Sequence, residues 1–138
     1  MIGIVLTGHG AFPNGMLESV QLIAGEVKQV RIVPFKEDQD KLKDELEQAI
    51  KEVDTGSGVV CFADLAGGTP FNVSSRVAAT KSNVKVIGGV NSPMLLSGLF
   101  QRELHLDDFI NRVLHDGKEN IKEFAVNKKE IEESEEGI

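Results

Sequence analysis

MIGIVLTGHGAFPNGM, residues 1–16, opens the chain with an apolar run that stops abruptly at a histidine held between two glycines. The segment IGIVLTG is a continuous β-branched run, the pattern of a strand buried on both faces. Such strands belong to parallel sheets covered by helices on either side. Reading outward, Met16, Leu17, Val20, Ile23 and Ala24 repeat at helical spacing, and KQVRIVPF, residues 28–35, reads as a second strand. Leu42, Leu46, Ala49, Ile50 and Val53 form an apolar stripe led by acids, which predicts an amphipathic helix over 38–53. GVVCFAD is a third buried strand and NVKVIGG a fourth.

Thr69-Pro70 and Ser92-Pro93 each place a hydroxyl at a predicted helix N-cap, with proline at the first helical position. Leu106, Phe109, Ile110, Val113 and Leu114 make a last helical stripe, and KEFAV, residues 122–126, is predicted as a short final strand. The alternation β-α-β-α-β-α-β-α-α-β predicts a three-layer α/β/α sandwich around a mostly parallel sheet. Right-handed crossovers bring all strand-to-helix loops to one edge, and sites in such sheets lie where strand order reverses. If the first and third strands flank that reversal, the loops TGHGAFPNG and ADLAGGTPFN, both glycine-rich, face each other.

Composition bounds the function. The 138 residues carry a net charge of -7, with 41% hydrophobic and 27% charged residues and no Trp or Tyr. That leaves no basic patch and no stacking platform for nucleic acid. No apolar run is long enough to span a bilayer, and no basic leader precedes the first strand. A single cysteine, Cys61, allows no intrachain disulfide and sits within an apolar run, where it reads as a packed small hydrophobe. These features suit a cytoplasmic protein. The segment 128–138, rich in Glu with little to bury, is expected to be a solvated tail after a domain spanning 1–127.

The chemistry of the facing loops follows from their residue types. A carboxylate from Asp64 bonded to one ring nitrogen of His9 would fix the tautomer and leave the other nitrogen nucleophilic. Gly67, Gly68 and Thr69 would offer backbone N–H groups at a helix start, a setting that favours phosphate. Nucleophile, orienting acid and anion cradle together suit phosphoryl transfer onto histidine. Competing motifs fail: GHGAFP has proline at the third glycine of a dinucleotide fingerprint, and GAFPNGML has Met-Leu where a P-loop needs Lys-Ser/Thr. His105 and His115 lack zinc-ligand spacing and read as surface residues, so neither metal nor cofactor is expected. A flavodoxin-like module that binds phosphate or nucleotide without being phosphorylated stays open on these residues alone.

GIVLTGHGAFPNGMLESV, VVCFADLAGGTPFNVSSRVA and VIGGVNSPMLL together resemble the IIA component of the mannose class of the bacterial sugar phosphotransferase system (PTS). The resemblance runs from residue 1 to about residue 125. It implies sheet order 2-1-3-4, and His9 as an acceptor of phosphate, on Nε2, from the phosphohistidine of HPr. It also implies transfer onward to a IIB component and through it to the membrane IIC and IID components. Asp64 would orient His9, and Thr69 would lie beside the phosphate. The resemblance further implies a homodimer exchanging an antiparallel C-terminal strand, here KEFAV, and a phosphotransferase transiently associated with the membrane complex. Because the acidic tail replaces the Ala/Pro-rich hinge of fused relatives, IIB is expected as a separate protein. Phe12, Pro13 and Phe71 are candidate partner contacts. The phosphotransfer subunit of dihydroxyacetone kinase is the alternative of related fold, and the GGTPFN loop disfavours it.

Overall fold

The structure is a computed structural model and describes residues 1–126. The elements run β1 (Gly3–His9), α1 (Phe12–Ala24), β2 (Val30–Phe35), α2 (Gln39–Val53), β3 (Val59–Ala63), α3 (Thr69–Ala78), β4 (Val84–Gly88), α4 (Ser92–Leu99) and α5 (Leu106–Glu119). The four strands form one parallel sheet in the order β2-β1-β3-β4. The strand order therefore reverses at β1 and β3, as the family resemblance implied.

Strand alternation sorts the core into two layers, because successive side chains point to opposite faces. Ile2, Ile4, Leu6, Val60 and Phe62 pack with Val20, Met94, Leu95, Phe109 and Val113, so α1, α4 and α5 cover one face. Val5, Val33, Val59 and Cys61 pack with Leu42, Leu46, Ile50, Val53, Val73 and Val77, so α2 and α3 cover the other. The stripe predicted over 38–53 is the buried face of α2, whose N-cap Asp38 accepts a hydrogen bond from the Lys41 N–H at 3.1 Å. Cys61 is fully buried, and burial pushes its thiol up to about 12. Among the described residues no helix is long and apolar enough to cross a membrane.

The structure differs from two expectations. The caps of α3 and α4 lie one residue earlier than the Thr-Pro and Ser-Pro pairs suggested: Gly68 caps α3 and Asn91 caps α4. Asn91 takes that place because its Oδ1 accepts the Met94 N–H at 3.0 Å while its Nδ2 donates to the Gly117 carbonyl of α5. Ser92 is then the first helical residue, and proline the second. The second difference concerns KEFAV, which forms no strand within the single chain described, where no partner subunit is present to exchange it with. Residues 121–126 are exposed, with Ile121, Phe124 and Val126 open to solvent. A strand needs a ladder partner, and the chain's own sheet provides none to this segment. The acidic tail, 128–138, lies outside the described residues.

Candidate functional site

β1 delivers His9 to the carboxyl edge of the sheet. As an odd-numbered residue it continues the side of Val5 and Thr7, the side covered by α2 and α3. The 64–68 loop after β3 meets it there. Asp64 Oδ2 accepts the His9 backbone N–H at 2.9 Å and lies 2.8 Å from ring Nδ1. One carboxylate oxygen therefore fixes both the end of β1 and the imidazole it carries. The His9 side chain is half exposed, and that of Asp64 largely covered. Burial is the strongest influence on the Asp64 carboxyl and pushes it up. The His9 N–H, the ring and its charge, and a weaker pull from the Leu65 N–H outweigh burial and hold the carboxyl below its ordinary value. The other oxygen, Oδ1, is buried without a well-formed hydrogen bond.

The glycines around this pair do different jobs. A Cβ on Gly8 would lie 2.8 Å from the Phe12 ring and 3.0 Å from Asp64 Cγ, so Gly8 lets the carboxylate approach β1. Gly10 has open space around it but a φ of +57°, the left-handed region that only glycine enters readily. Its N–H donates to the Phe35 carbonyl at 2.7 Å. Across the site, a Cβ on Gly68 would lie 3.1 Å from His9 Cε1.

The start of α3 faces this ring, and it corrects the expected cradle in detail. The Gly68 N–H is occupied by the Leu65 carbonyl at 3.1 Å. Among the described residues no protein acceptor meets the N–H of Thr69 or Phe71, which are orphan donors of the first turn. Gly67 contributes by its conformation, φ +84°, and by its carbonyl, which accepts Asn72 Nδ2 at 3.0 Å. Asn72, in the first turn of α3, thus ties the glycine pair to the helix. Its only sequence signal was its place at the end of GGTPFN.

The structure separates the expected partner contacts. Pro13 is buried in the first turn of α1, where its missing N–H costs nothing, so it cannot face a partner in this conformation. Phe12 is partly buried against the core cluster of α1, α4 and α5, and Phe71 is also partly covered. The apolar side chain that is open beside the site is Leu65, 59% exposed, which the sequence reading missed. Its signal was an apolar residue directly after Asp64 in a loop otherwise made of small residues. A second missed neighbour is Phe35, the last residue of β2, whose ring stands edge-to-face with His9 at a centroid distance of 6.0 Å. His105 and His115 are exposed and far along the chain from this edge, and no metal-type cluster occurs among the described residues.

Comparisons with known proteins place the chain in a family. A family model described as EIIA-man, PTS system fructose IIA component, matches residues 3–114. The chain is 34% identical over 116 residues to the PTS system fructose-specific EIIA component of Bacillus subtilis (strain 168), covering 82% of this chain and 80% of that one. It is 31% identical over 137 residues to the PTS system mannose-specific EIIAB component of Escherichia coli (strain K12), covering 96% of this chain and 42% of that longer protein. Among solved structures, phosphotransferase system component EIIA from Streptococcus agalactiae superposes with a TM-score of 0.83 at 32% identity, covering 90% of this chain and 98% of that one.

Proposed function

The chain belongs to the EIIA-man family of phosphotransferase components, and from that membership we propose that it is a phosphohistidine carrier in which His9 relays phosphate between two proteins. Phospho-HPr is the donor and a IIB component the acceptor, with sugar uptake and phosphorylation downstream of this chain. The protein works in the cytoplasm and meets the membrane components only through IIB. A homodimer completed by exchange of residues 122–126 would give that exposed apolar segment a ladder partner.

One observation carries the reading: His9 Nδ1 is engaged by Asp64 at 2.8 Å while the unoccupied N–H groups of Thr69 and Phe71 stand at the start of the helix beside the ring. With Nδ1–H donated to the carboxylate, the lone pair lies on Nε2. Nε2 attacks phosphorus, the N–P bond to the donor histidine breaks, and its electron pair returns to the donor ring. The proton on Nδ1 stays where it is, and Asp64 balances the positive charge that grows on the imidazole. The α3 N–H groups and the Thr69 hydroxyl, at the positive end of the helix dipole, receive the phosphoryl oxygens. Transfer to IIB is the reverse of these events with a new acceptor.

Incubation with phosphoenolpyruvate and the upstream phosphotransfer proteins tests this directly. The expected product carries one acid-labile, base-stable phosphate on His9, and His9→Gln abolishes it with the fold intact. Stoichiometric phosphate on the Gln variant, or none on the wild type, overturns the assignment.

A further inference from the structure

We propose that Phe35 is a positioning residue for His9, holding the imidazole in the rotamer that Asp64 can engage. This rests on the reading of His9 as the phosphoryl acceptor. The parallel register pairs His9 with Phe35, so the two side chains emerge from neighbouring strands on the same side of the sheet. Their rings meet edge-to-face, 6.0 Å between centroids and 77° between planes. The Gly10 N–H to Phe35 carbonyl bond of 2.7 Å locks the ends of the two strands together at this point. Phe35 is partly buried and packs against the core cluster under α2, which restrains its ring beside His9.

That wall solves a problem that Asp64 alone leaves open. The His9 side chain is half exposed and extends from the last residue of its strand, so solvent competes for Nδ1. A single hydrogen bond to an exposed imidazole does not exclude other χ1 and χ2 wells. Phe35 limits the ring on the β2 side, while on the α3 side Gly68 leaves the ring clear, since a Cβ there would lie 3.1 Å from Cε1. With that wall present, the Asp64-bonded rotamer is retained, and Nε2 is the nitrogen left for phosphorus. Phe35 touches neither donor nor phosphate in this account; it acts through His9.

Three variants test the proposal. Phe35→Leu keeps an apolar side chain against α2 and removes the planar wall. Phe35→Tyr keeps the ring, and the adjoining groove of about 440 Å³, lined by Pro34, Lys36 and Leu42, has room for a hydroxyl. Phe35→Ala serves only as a check on stability. Single-turnover phosphorylation by the phosphorylated donor gives the maximal rate and the donor concentration at half-maximum. Ring ¹⁵N shifts at alkaline pH, where the imidazole is neutral, give the tautomer without any phosphate. The expected result for Phe35→Leu is a maximal rate lower by on the order of tenfold, an unchanged half-maximal concentration, and loss of the dominant Nδ1–H tautomer, all restored in Phe35→Tyr. An unaltered tautomer overturns the proposal, whatever the rate does. A change in half-maximal concentration alone also overturns it, since Phe35 would then be a docking contact. If the wild type accepts no phosphate, the carrier reading fails separately, and the ¹⁵N comparison still decides whether Phe35 holds the ring.

Discussion

Asp64→Asn preserves the shape of the group that holds His9 and removes its charge. In the wild type, Oδ2 accepts the backbone N–H at 2.9 Å and lies 2.8 Å from Nδ1. An amide oxygen in the same place can accept both bonds, now neutral. Hydrogen bonds to charged groups contribute about 1.5–3 kcal/mol and neutral ones about 0.5–1.5 kcal/mol, so the ring bond weakens by about 1–2 kcal/mol. The loss is felt most as positive charge develops on the imidazole during attack. It converts to phosphoryl transfer slower by about 5- to 30-fold, with His9 still competent to accept. If the amide instead turns its NH₂ toward Nδ1, the proton moves to Nε2 and the loss is larger. Asp64→Ala, which removes both bonds, falls further. Rapid-quench measurement of single-turnover transfer from the phosphorylated donor reads these rates. A rate equal to the wild type's in Asp64→Asn would reduce Asp64 to a turn residue and refute the argument.

The same variant carries a pH test with a defined sign. The folded-state carboxyl of Asp64 lies below its ordinary value of 3.8, because the His9 and Leu65 groups outweigh the upward push of burial. A depressed carboxylate stabilises the fold fully above its unfolded-state value and loses that contribution as pH falls through the folded-state value. The stability difference between wild type and Asp64→Asn, from urea titrations, is therefore expected to be flat at neutral pH and to shrink below 3.8. A difference that grew on acidification would contradict the inferred direction.

Gly68→Ala separates function from stability. Gly68 has φ -76° and ψ 167°, open to alanine, so the backbone gain and the weaker N-cap offset within about 1 kcal/mol. The new Cβ presses on His9 Cε1 from 3.1 Å, and transfer is expected to slow while the urea midpoint barely moves. Gly88→Ala acts from below: its Cβ would lie 2.6 Å from the Ala66 Cα, a collision with backbone that is expected to destabilise the fold by about 1–3 kcal/mol in urea titration and to displace the Asp64 loop. Cys61, fully buried and with its thiol raised to about 12, is expected to resist alkylation in the native protein at neutral pH and to react at once in denaturant.

The strands were legible because their signals are local and repeated, whereas their order, 2-1-3-4, came from the family resemblance. IGIVLTG and GVVCFAD could be nothing but doubly covered strands, and α2 announced its buried face by spacing alone. His9 and Asp64 became candidates because each follows a strand and parallel topology brings strand ends to one edge, but it was the family resemblance that singled them out. The cap of α4 was misplaced because Asn91 and Ser92 are both good capping residues in adjacent positions. The choice fell to Asn91 through its bond to Gly117, a residue of another helix. Leu65 and Asn72 were invisible as site residues because exposure and a bond to the Gly67 carbonyl are properties of a loop's path, which composition does not encode. KEFAV has strand composition, but a strand is a relation between two segments, and no strand of this chain's sheet pairs with it.

The two glycines that flank His9 show how far residue type and residue role can diverge. Read as sequence, they form a symmetric frame that clears space around the ring for visitors. In the structure each also has a task inside the protein. Gly8 admits the Asp64 carboxylate and the Phe12 ring from inside the protein, and Gly10 turns the chain through a positive φ so that its N–H can reach the Phe35 carbonyl. The first glycine thus gives His9 its acid, and the second fixes the strand that gives His9 its wall. Clearance beside the ring itself is provided by Gly68, opposite Cε1 and next to the open N–H groups of α3. An imidazole so placed has its nitrogen chosen by a carboxylate, its rotamer by an aromatic ring, and its open side by a glycine one strand away. That division of labour suits the carrier role proposed above, in which the ring must be exposed enough to be reached and still arrive in one orientation.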